Sequence, residues 1–406
     1  MKPLTEQIFN SRIVPKSLAA IVGPAHVAIA DGAIAVAPAN SGEAAAVLRY
    51  IDENGLSVSP VGGGTKLGWG NAVHPKILLH THRMNALLEH TWQDMTCTVQ
   101  AGCTWSSMQT ALAEHGQFVA LDPLWPEHAS IGGIIATNDS GALRYKYGGL
   151  RDLIIGMTVV LADGTIARTG GKVVKNVAGY DLHKLMIGAF GTLGLTTEIT
   201  FRLHSCPVNL QSFTICSPTP EPLGSFLLQL LDSHLSAASI QLRTMGNVFG
   251  LDIQLEGLPK VLKDQAESLS AMALKAQLSL QPAATGVWNS RELSFIDTSG
   301  FTIKATMLPS DIARFTSTIQ NLGGNAVTQS TGIMTAWLPV TAEQELSQLR
   351  QQFTGGHGSL TVLQQPDDAH IDPWGPLSSS FPLMQKIKEQ FDPNRTLNPG
   401  RFLGGI

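Results

Sequence analysis

Charged residues are scarce in this chain: Asp, Glu, Lys and Arg make up 14% of it, and the formal net charge is −4. The few basic residues form no cluster, so the electrostatic footprint that recruits nucleic acid is missing and no such partner is expected. Cysteine is scarcer still. Cys97, Cys103, Cys206 and Cys216 contain no Cys-x-x-Cys pair. That argues against structural zinc or an iron–sulfur cluster held by this chain alone, and reduced thiols are the simplest reading. No apolar run reaches the roughly 20 residues needed to cross a bilayer. The nearest approach to a secretion signal, residues 17–30 after Lys16, is broken by Gly23-Pro24 and His26. A cytoplasmic location is therefore expected.

Glycine, by contrast, is plentiful, with 40 among 406 residues. The length favours two domains over one core. A short strand at Val58–Val61 runs straight into Gly62-Gly63-Gly64-Thr65-Lys66-Leu67. Adjacent glycines accept positive φ and let a ligand approach bare backbone. Their successive N–H groups can converge on an anion such as a diphosphate. The offsets exclude a Rossmann fingerprint, because Leu67 stands where the third glycine belongs, and no Gly-Lys-Ser or Gly-Lys-Thr exists for a Walker loop.

Periodicity predicts a helix over 41–54, capped by Ser41, with Ala44, Val47, Leu48 and Ile51 as its apolar stripe. Strands are expected at 76–81, 96–102 and 118–121, and a helix at 104–115. The stretch 122–149, with little charge and many small residues, reads as a functional loop. Asp163-Gly164 predicts a hairpin over 159–168. Residues 195–203 alternate cleanly, as a half-buried strand does. Beyond 207 the pattern strand, helix, strand, strand occurs twice, at 210–255 and 301–339, with a helix at 259–277 between. It suggests an antiparallel sheet covered on one face by helices. Expected domains are 1–206, with an N-terminal extension to about 25, then a cap at 207–380 and a tail at 381–406 that returns to the first domain.

Five segments carry a family resemblance. Pro60–Lys66, Ser130–Asn138, Lys175–Leu182, Gly188–Glu198 and Leu397-Asn398-Pro399-Gly400 occur in the order found in the vanillyl-alcohol oxidase/p-cresol methylhydroxylase (PCMH-type) flavoproteins, whose FAD domain they resemble. Leu121–Trp125, taken with Lys175–Leu182, is most similar to the E-subunit branch of bacterial glycolate oxidases. The resemblance implies an α+β fold: a PCMH-type FAD-binding domain of two α/β subdomains, plus an α+β cap domain with an antiparallel sheet. It implies that Pro60, Gly62, Gly63, Gly64, Thr65, Lys66 and Leu67 hold the FAD diphosphate, chiefly through backbone N–H. Ser130, Gly132, Gly133, Thr137, Asn138 and Gly141 would line the cofactor, with Tyr147 and Gly148 in the stretch that follows. Leu195 would hold the isoalloxazine edge through its backbone, and Asn398 would return to the flavin from the tail.

Where relatives carry a tethering histidine this chain has Thr65-Lys66, so non-covalent FAD is expected. The implied partners are a second FAD-containing catalytic subunit and an iron–sulfur subunit, in a complex that oxidises glycolate to glyoxylate and sits peripherally on the inner face of the cell membrane. One departure stands out. Hydroxy-acid-oxidising relatives carry a His-x6-His pair and a Glu-His-Gly. Neither is present, and His357 follows Gly356. No metal is therefore expected, the catalytic residues stay unassigned, and the isolated chain is not expected to oxidise glycolate. The alternatives are a self-sufficient FAD dehydrogenase of another small hydroxylated substrate, and a scaffold without cofactor. Arg144, Tyr145, Arg151 and His357 read equally as surface residues, Trp69 as plain packing, and Cys97 and Cys103 as core thiols.

Overall fold

The computed structural model describes residues 13–30, 32–171, 180–355 and 358–406. Strand Leu195–Arg202 alternates buried and half-buried residues along its whole length, as a strand with one face in the core must. It is the middle strand of a five-stranded antiparallel sheet, between Thr96–Gln100 and Ile154–Val160. Ile154–Val160 turns through Asp163-Gly164 into Ile166–Gly170. Gly164, at φ 79°, supplies the left-handed residue that this hairpin needs.

A four-stranded sheet carries the glycine loop. Its order is Val27–Ala30, Ala33–Val36, Ile77–His80, Val58–Val61, and the last three strands are parallel. Helix Ser41–Glu53 buries Ala44, Val47, Leu48 and Ile51 against it. The cap of that helix is Asn40, not Ser41: Asn40 Oδ1 accepts the Glu43 N–H at 2.9 Å. Ser41 instead donates to Thr197 Oγ1 at 2.8 Å, so its hydroxyl ties the helix to the neighbouring sheet.

The stretch 122–149 is not one loop. It holds helix Ile131–Thr137, in which Ile131, Ile134 and Ile135 are buried. Two glycines and three β-branched isoleucines make a poor helix in isolation; the Ser130 cap and apolar burial override that. The strand expected at 118–121 is confined to Gln117–Phe118, which pairs with His204–Ser205.

The cap is an eight-stranded antiparallel sheet. Its order is Leu280–Pro282, Leu210–Ser217, Val248–Glu256, Ala237–Met245, Asn325–Gln329, Ile333–Leu338, Phe301–Thr306, Ser359–Gln364. Helices Glu221–Leu231, Pro259–Lys275, Ile312–Asn321 and Glu343–Gly355 share one apolar core with Ile240, Leu242, Leu251, Ile253, Ile303 and Ala305. The alternate positions Gln241, Arg243, Asp252, Thr302 and Lys304 therefore fall on the opposite, polar face. Strand Asn325–Gln329 completes the second strand, helix, strand, strand unit, whereas strand Ser359–Gln364 and helix Glu343–Gly355 were not anticipated.

After helix Phe381–Phe391 the chain returns to the first sheet. Val58 N–H donates to Thr396 O at 2.8 Å and Asn398 N–H to Val58 O at 2.9 Å, forming a parallel bridge beside the glycine-loop strand. A buried ion pair holds the return. Lys388 Nζ lies 2.5 Å from Asp392 Oδ2 and donates to Thr192 O at 2.7 Å and Leu397 O at 3.0 Å. Asp392 also accepts the N–H groups of Thr396 and Leu397, each at 2.8 Å. Removing one partner of such a pair leaves a buried uncompensated charge, which costs about 3–5 kcal/mol. Asp392→Ala is expected to lose that much unfolding free energy in urea titrations. A loss below about 1 kcal/mol, the scale of an exposed pair, would show that the tail is not held this way.

Candidate cofactor site

The glycine loop and the segment before helix Ile131–Thr137 approach too closely for side chains. A Cβ on Gly62 would stand 1.9 Å from Ser130 Oγ, and one on Gly63 1.8 Å from the His128 carbonyl oxygen. Ser130 Oγ accepts N–H from Gly63 at 3.2 Å and from Gly133 at 3.3 Å, so the residue that caps the helix also fastens the loop. Gly132 packs on Ala101, to whose carbonyl its N–H donates at 2.8 Å.

Two adjoining clefts open along this contact and share Pro60, Gly62, Gly133, Ala136, Phe190 and Asn398. Gly132, Leu195 and Thr81 line the first. Gly63, Gly64, Thr65, Lys66, Leu67, Ser130, Thr137 and Arg401 line the second. The structure thus brings together every expected site residue except Asn138, Gly141, Tyr147 and Gly148. Among the described residues no histidine, cysteine or tyrosine lines either cleft.

Asn398 is the polar centre of the shared wall. It holds φ 44°, and its Nδ2 donates to Phe190 O at 2.8 Å, while Phe190 itself holds φ 53°. Two facing non-glycine residues in the left-handed region persist only where their surroundings impose it, which is common at ligand sites. Asn398 Oδ1 is buried without a hydrogen-bond partner. An orphaned buried acceptor costs about 1–3 kcal/mol, and a cofactor N–H or O–H would remove that cost. An elongated cleft, a bare N–H-rich loop and this acceptor together fit FAD.

The nearby cations are committed elsewhere. Arg401 Nη2 donates to the carbonyls of Trp69, at 2.9 Å, and of Leu67. Burial holds its guanidinium below its usual pKa. Lys66 Nζ turns away from the cleft to Asp139 Oδ2 at 3.4 Å and lies over the Trp125 ring. Asp139 also accepts Arg291 Nη1 at 2.8 Å and Leu124 N–H at 2.8 Å. Burial would raise the Asp139 pKa, but Arg291 and then Lys66 hold it below the usual range. Asp122 accepts the N–H groups of Gly141, Ala142 and Leu143, and burial still pushes its carboxyl up to about 6.

Of the remaining expected residues, Asn138 and Tyr147 meet the cap, while Gly141 and Gly148 pack within the first domain. Asn138 ends the helix at φ 48°, and its carbonyl accepts Lys304 Nζ at 3.3 Å. Tyr147 donates to Glu256 Oε1 at 2.5 Å and stands edge-on to Phe118 and His204. Gly148, at φ 83°, is pressed against Asp152. Trp69 stacks on Phe295 at 5.9 Å and is a packing residue. Cys97 is a core thiol, pushed up to about 12 by burial. Residues 175–179 of the expected motif, and His357, lie outside the described residues. Among the described residues no three His, Cys, Asp or Glu side chains converge as a metal requires.

Burial lowers the Lys304 pKa from 10.5 to about 8, with Asp139 opposing. Between those values the unfolded chain holds the proton that the folded chain has released, so this group makes stability rise with pH. Lys304→Met should flatten the rise in unfolding free energy between pH 8 and pH 10 by about 2 kcal/mol. Equal slopes for the two proteins would contradict the burial of a charged amine.

Comparison with known proteins agrees with this geometry. Residues 32–170 match the family of FAD binding domains. Glycolate oxidase subunit GlcD of Bacillus subtilis is 41% identical over 174 residues, 42% of this chain and 37% of that protein. The mitochondrial D-lactate dehydrogenase [cytochrome] of Arabidopsis thaliana is 33% identical over 220 residues, 53% of this chain and 38% of that protein. The D-2-hydroxyglutarate dehydrogenase of Xanthomonas citri is 38% identical over 171 residues, 42% and 36% of the two chains. The chain thus spans well under half the length of these relatives. In fold, substrate-bound p-cresol methylhydroxylase matches 96% of both chains with a TM-score of 0.75 at 15% identity. The 4-ethylphenol oxidase of Gulosibacter chungangensis covers 99% and 97% with a TM-score of 0.73, also at 15% identity. Residues 32–170 carry an FAD-binding domain, the fold is that of p-cresol methylhydroxylase with an α+β cap, and FAD is the cofactor.

Proposed function

We propose that this chain is the FAD-binding subunit of a glycolate oxidase-type complex. It takes part in the oxidation of glycolate, a 2-hydroxy acid, to glyoxylate beside a second FAD-containing catalytic subunit and an iron–sulfur subunit. The observation that carries the reading is a cleft shaped for FAD whose neighbouring cations are spent on internal partners. Lys66, Arg291, Lys304 and Arg401 each hold the protein's own carboxylates or carbonyls. A hydroxy acid needs a free cation for its carboxylate and a base near its hydroxyl before a hydride can leave. The E-subunit-like segments and the likeness to the GlcD subunit support the same assignment.

Bound FAD supplies a hydride and electron acceptor. The N–H groups of Gly62 to Thr65 would hold its diphosphate, with Arg401 fastening the loop through the Leu67 and Trp69 carbonyls. Asn398 Oδ1, buried without a partner, would accept a hydrogen bond from it. Thr65, and a Lys66 that faces away, leave the flavin untethered. No helix among the described residues is long and apolar enough to cross a membrane, so membrane association comes through the partners. The wider reading, an FAD-dependent oxidoreductase of 2-hydroxy acids, rests also on the likeness to D-lactate and D-2-hydroxyglutarate dehydrogenases. That likeness favours, as the second reading, a self-sufficient dehydrogenase for another small hydroxy acid.

The purified chain should be yellow and release all its FAD on acid precipitation, leaving no flavin fluorescence on the denatured polypeptide. Glycolate should leave its flavin oxidised under anaerobic conditions until the partner subunits are added. Rapid bleaching of the isolated chain by glycolate or D-lactate would overturn the subunit reading in favour of the second one. Gly63→Ala forces a methyl into the His128 carbonyl and should raise the FAD Kd at least about tenfold, the equivalent of the usual cost of mild overpacking. Unchanged affinity in a flavin-quenching titration would remove the loop from the site.

A further inference from the structure

The turn Asn138–Ser140 closes helix Ile131–Thr137, whose residues line both cofactor clefts, yet side chains of the cap hold it. Arg291 Nη1 reaches Asp139 Oδ1 at 2.8 Å and Ser140 O at 2.7 Å, while its Nη2 donates to Asp122 O at 3.0 Å. Gln329 Nε2 donates to the same Ser140 carbonyl at 2.9 Å. The planar guanidinium serves three acceptors at once through donors in a fixed fork. The second oxygen of Asp139 takes Lys66, which continues the glycine loop.

Asp139 is therefore the point where loop, helix turn and cap meet. It is 2% exposed, so its charge tolerates no half-formed arrangement: a buried pair is either made well or strongly unfavourable. Neither Arg291 nor Gln329 lines the clefts. Asn138, adjoining Asp139, ends the helix in the left-handed region as a C-cap, and its carbonyl accepts Lys304 Nζ from the cap. Fixing the glycine loop on a ligand fixes Lys66, then Asp139, then Arg291.

We propose that Arg291 is a positioning residue for FAD, one that joins cap docking and cofactor binding into a single coupled equilibrium. Such coupling is reciprocal: FAD tightens the cap segment Val287–Phe295, and loss of the Arg291 fork weakens FAD. The inference rests on FAD binding alone and is independent of glycolate.

The first test needs no mutation. Hydrogen exchange of the 287–295 segment, measured on the full chain without and with saturating FAD, should slow at least about fivefold. Next, Arg291→Met should raise the FAD Kd by about five- to 150-fold, and Arg291→Lys should recover part of the loss. Gln329→Met removes one neutral hydrogen bond to Ser140 and should act in the same direction by less; it decides the matter if Arg291→Met does not fold. Leu269→Ala, in the outer helix of the cap core, should lower stability while leaving FAD affinity and the FAD-dependent exchange unchanged. Exchange of 287–295 that ignores FAD overturns the proposal. So does a Kd in the Arg291 or Gln329 variants equal to that of the unmodified chain.

Discussion

Between Gly63 and the carbonyl oxygen of His128 there is no room for a methyl group, and the cofactor site is built around that constraint. The backbone of the glycine loop lies directly on the segment that leads into helix Ile131–Thr137, with Ser130 Oγ bonded to both. Side chains are excluded from this contact, so what faces the cleft is mostly peptide N–H and small residues. A parallel sheet delivers one wall, a capped helix the second, and the returning tail the third, through Asn398 and Arg401. Each wall depends on a hydrogen bond made across a long sequence separation.

The electrostatics follow from the same packing. A cofactor carrying a diphosphate needs compensation, yet Lys66 and Arg401, the cationic side chains in the cleft lining, are turned to internal partners. Backbone N–H groups are left as the proposed ligands of the diphosphate, with the buried guanidinium of Arg401 donating to the loop carbonyls. On the polar face of the cap Arg243 and Asp252 pair with each other, and Lys304 reaches the Asn138–Ser140 turn. This economy of free charge underlies the reading of the chain as a cofactor-bearing subunit and not a complete hydroxy-acid dehydrogenase.

Local pattern made much of this legible before the structure. Period-two burial at Leu195–Arg202, the Asp163-Gly164 hairpin and the stripe of the Ser41–Glu53 helix were all readable, because each depends on neighbours within one element. The glycine clusters pointed to segments that the fold brings together, because a close backbone approach demands residues without Cβ. Helix Ile131–Thr137 was missed because its propensity is poor and its stability comes from burial. Asp139 and Arg291 lie 152 residues apart and announce nothing in sequence. Tyr147, adjacent to the cofactor segments in sequence, is drawn to Glu256 of the cap, a direction that no local pattern encodes. Phe190 stood inside a quoted motif, and Arg401 directly after one, without a role, since carbonyl-directed contacts and a left-handed phenylalanine leave no signature.

The central claim is that loop, helix and tail form one FAD site. Titrating FAD into the cofactor-free chain while following hydrogen exchange by mass spectrometry tests it most directly. The account predicts one FAD per chain, with protection appearing together in peptides covering Gly62–Leu67, Ser130–Thr137 and Asn398–Arg401. Saturation without protection in those three segments, or protection confined to one of them, would contradict it.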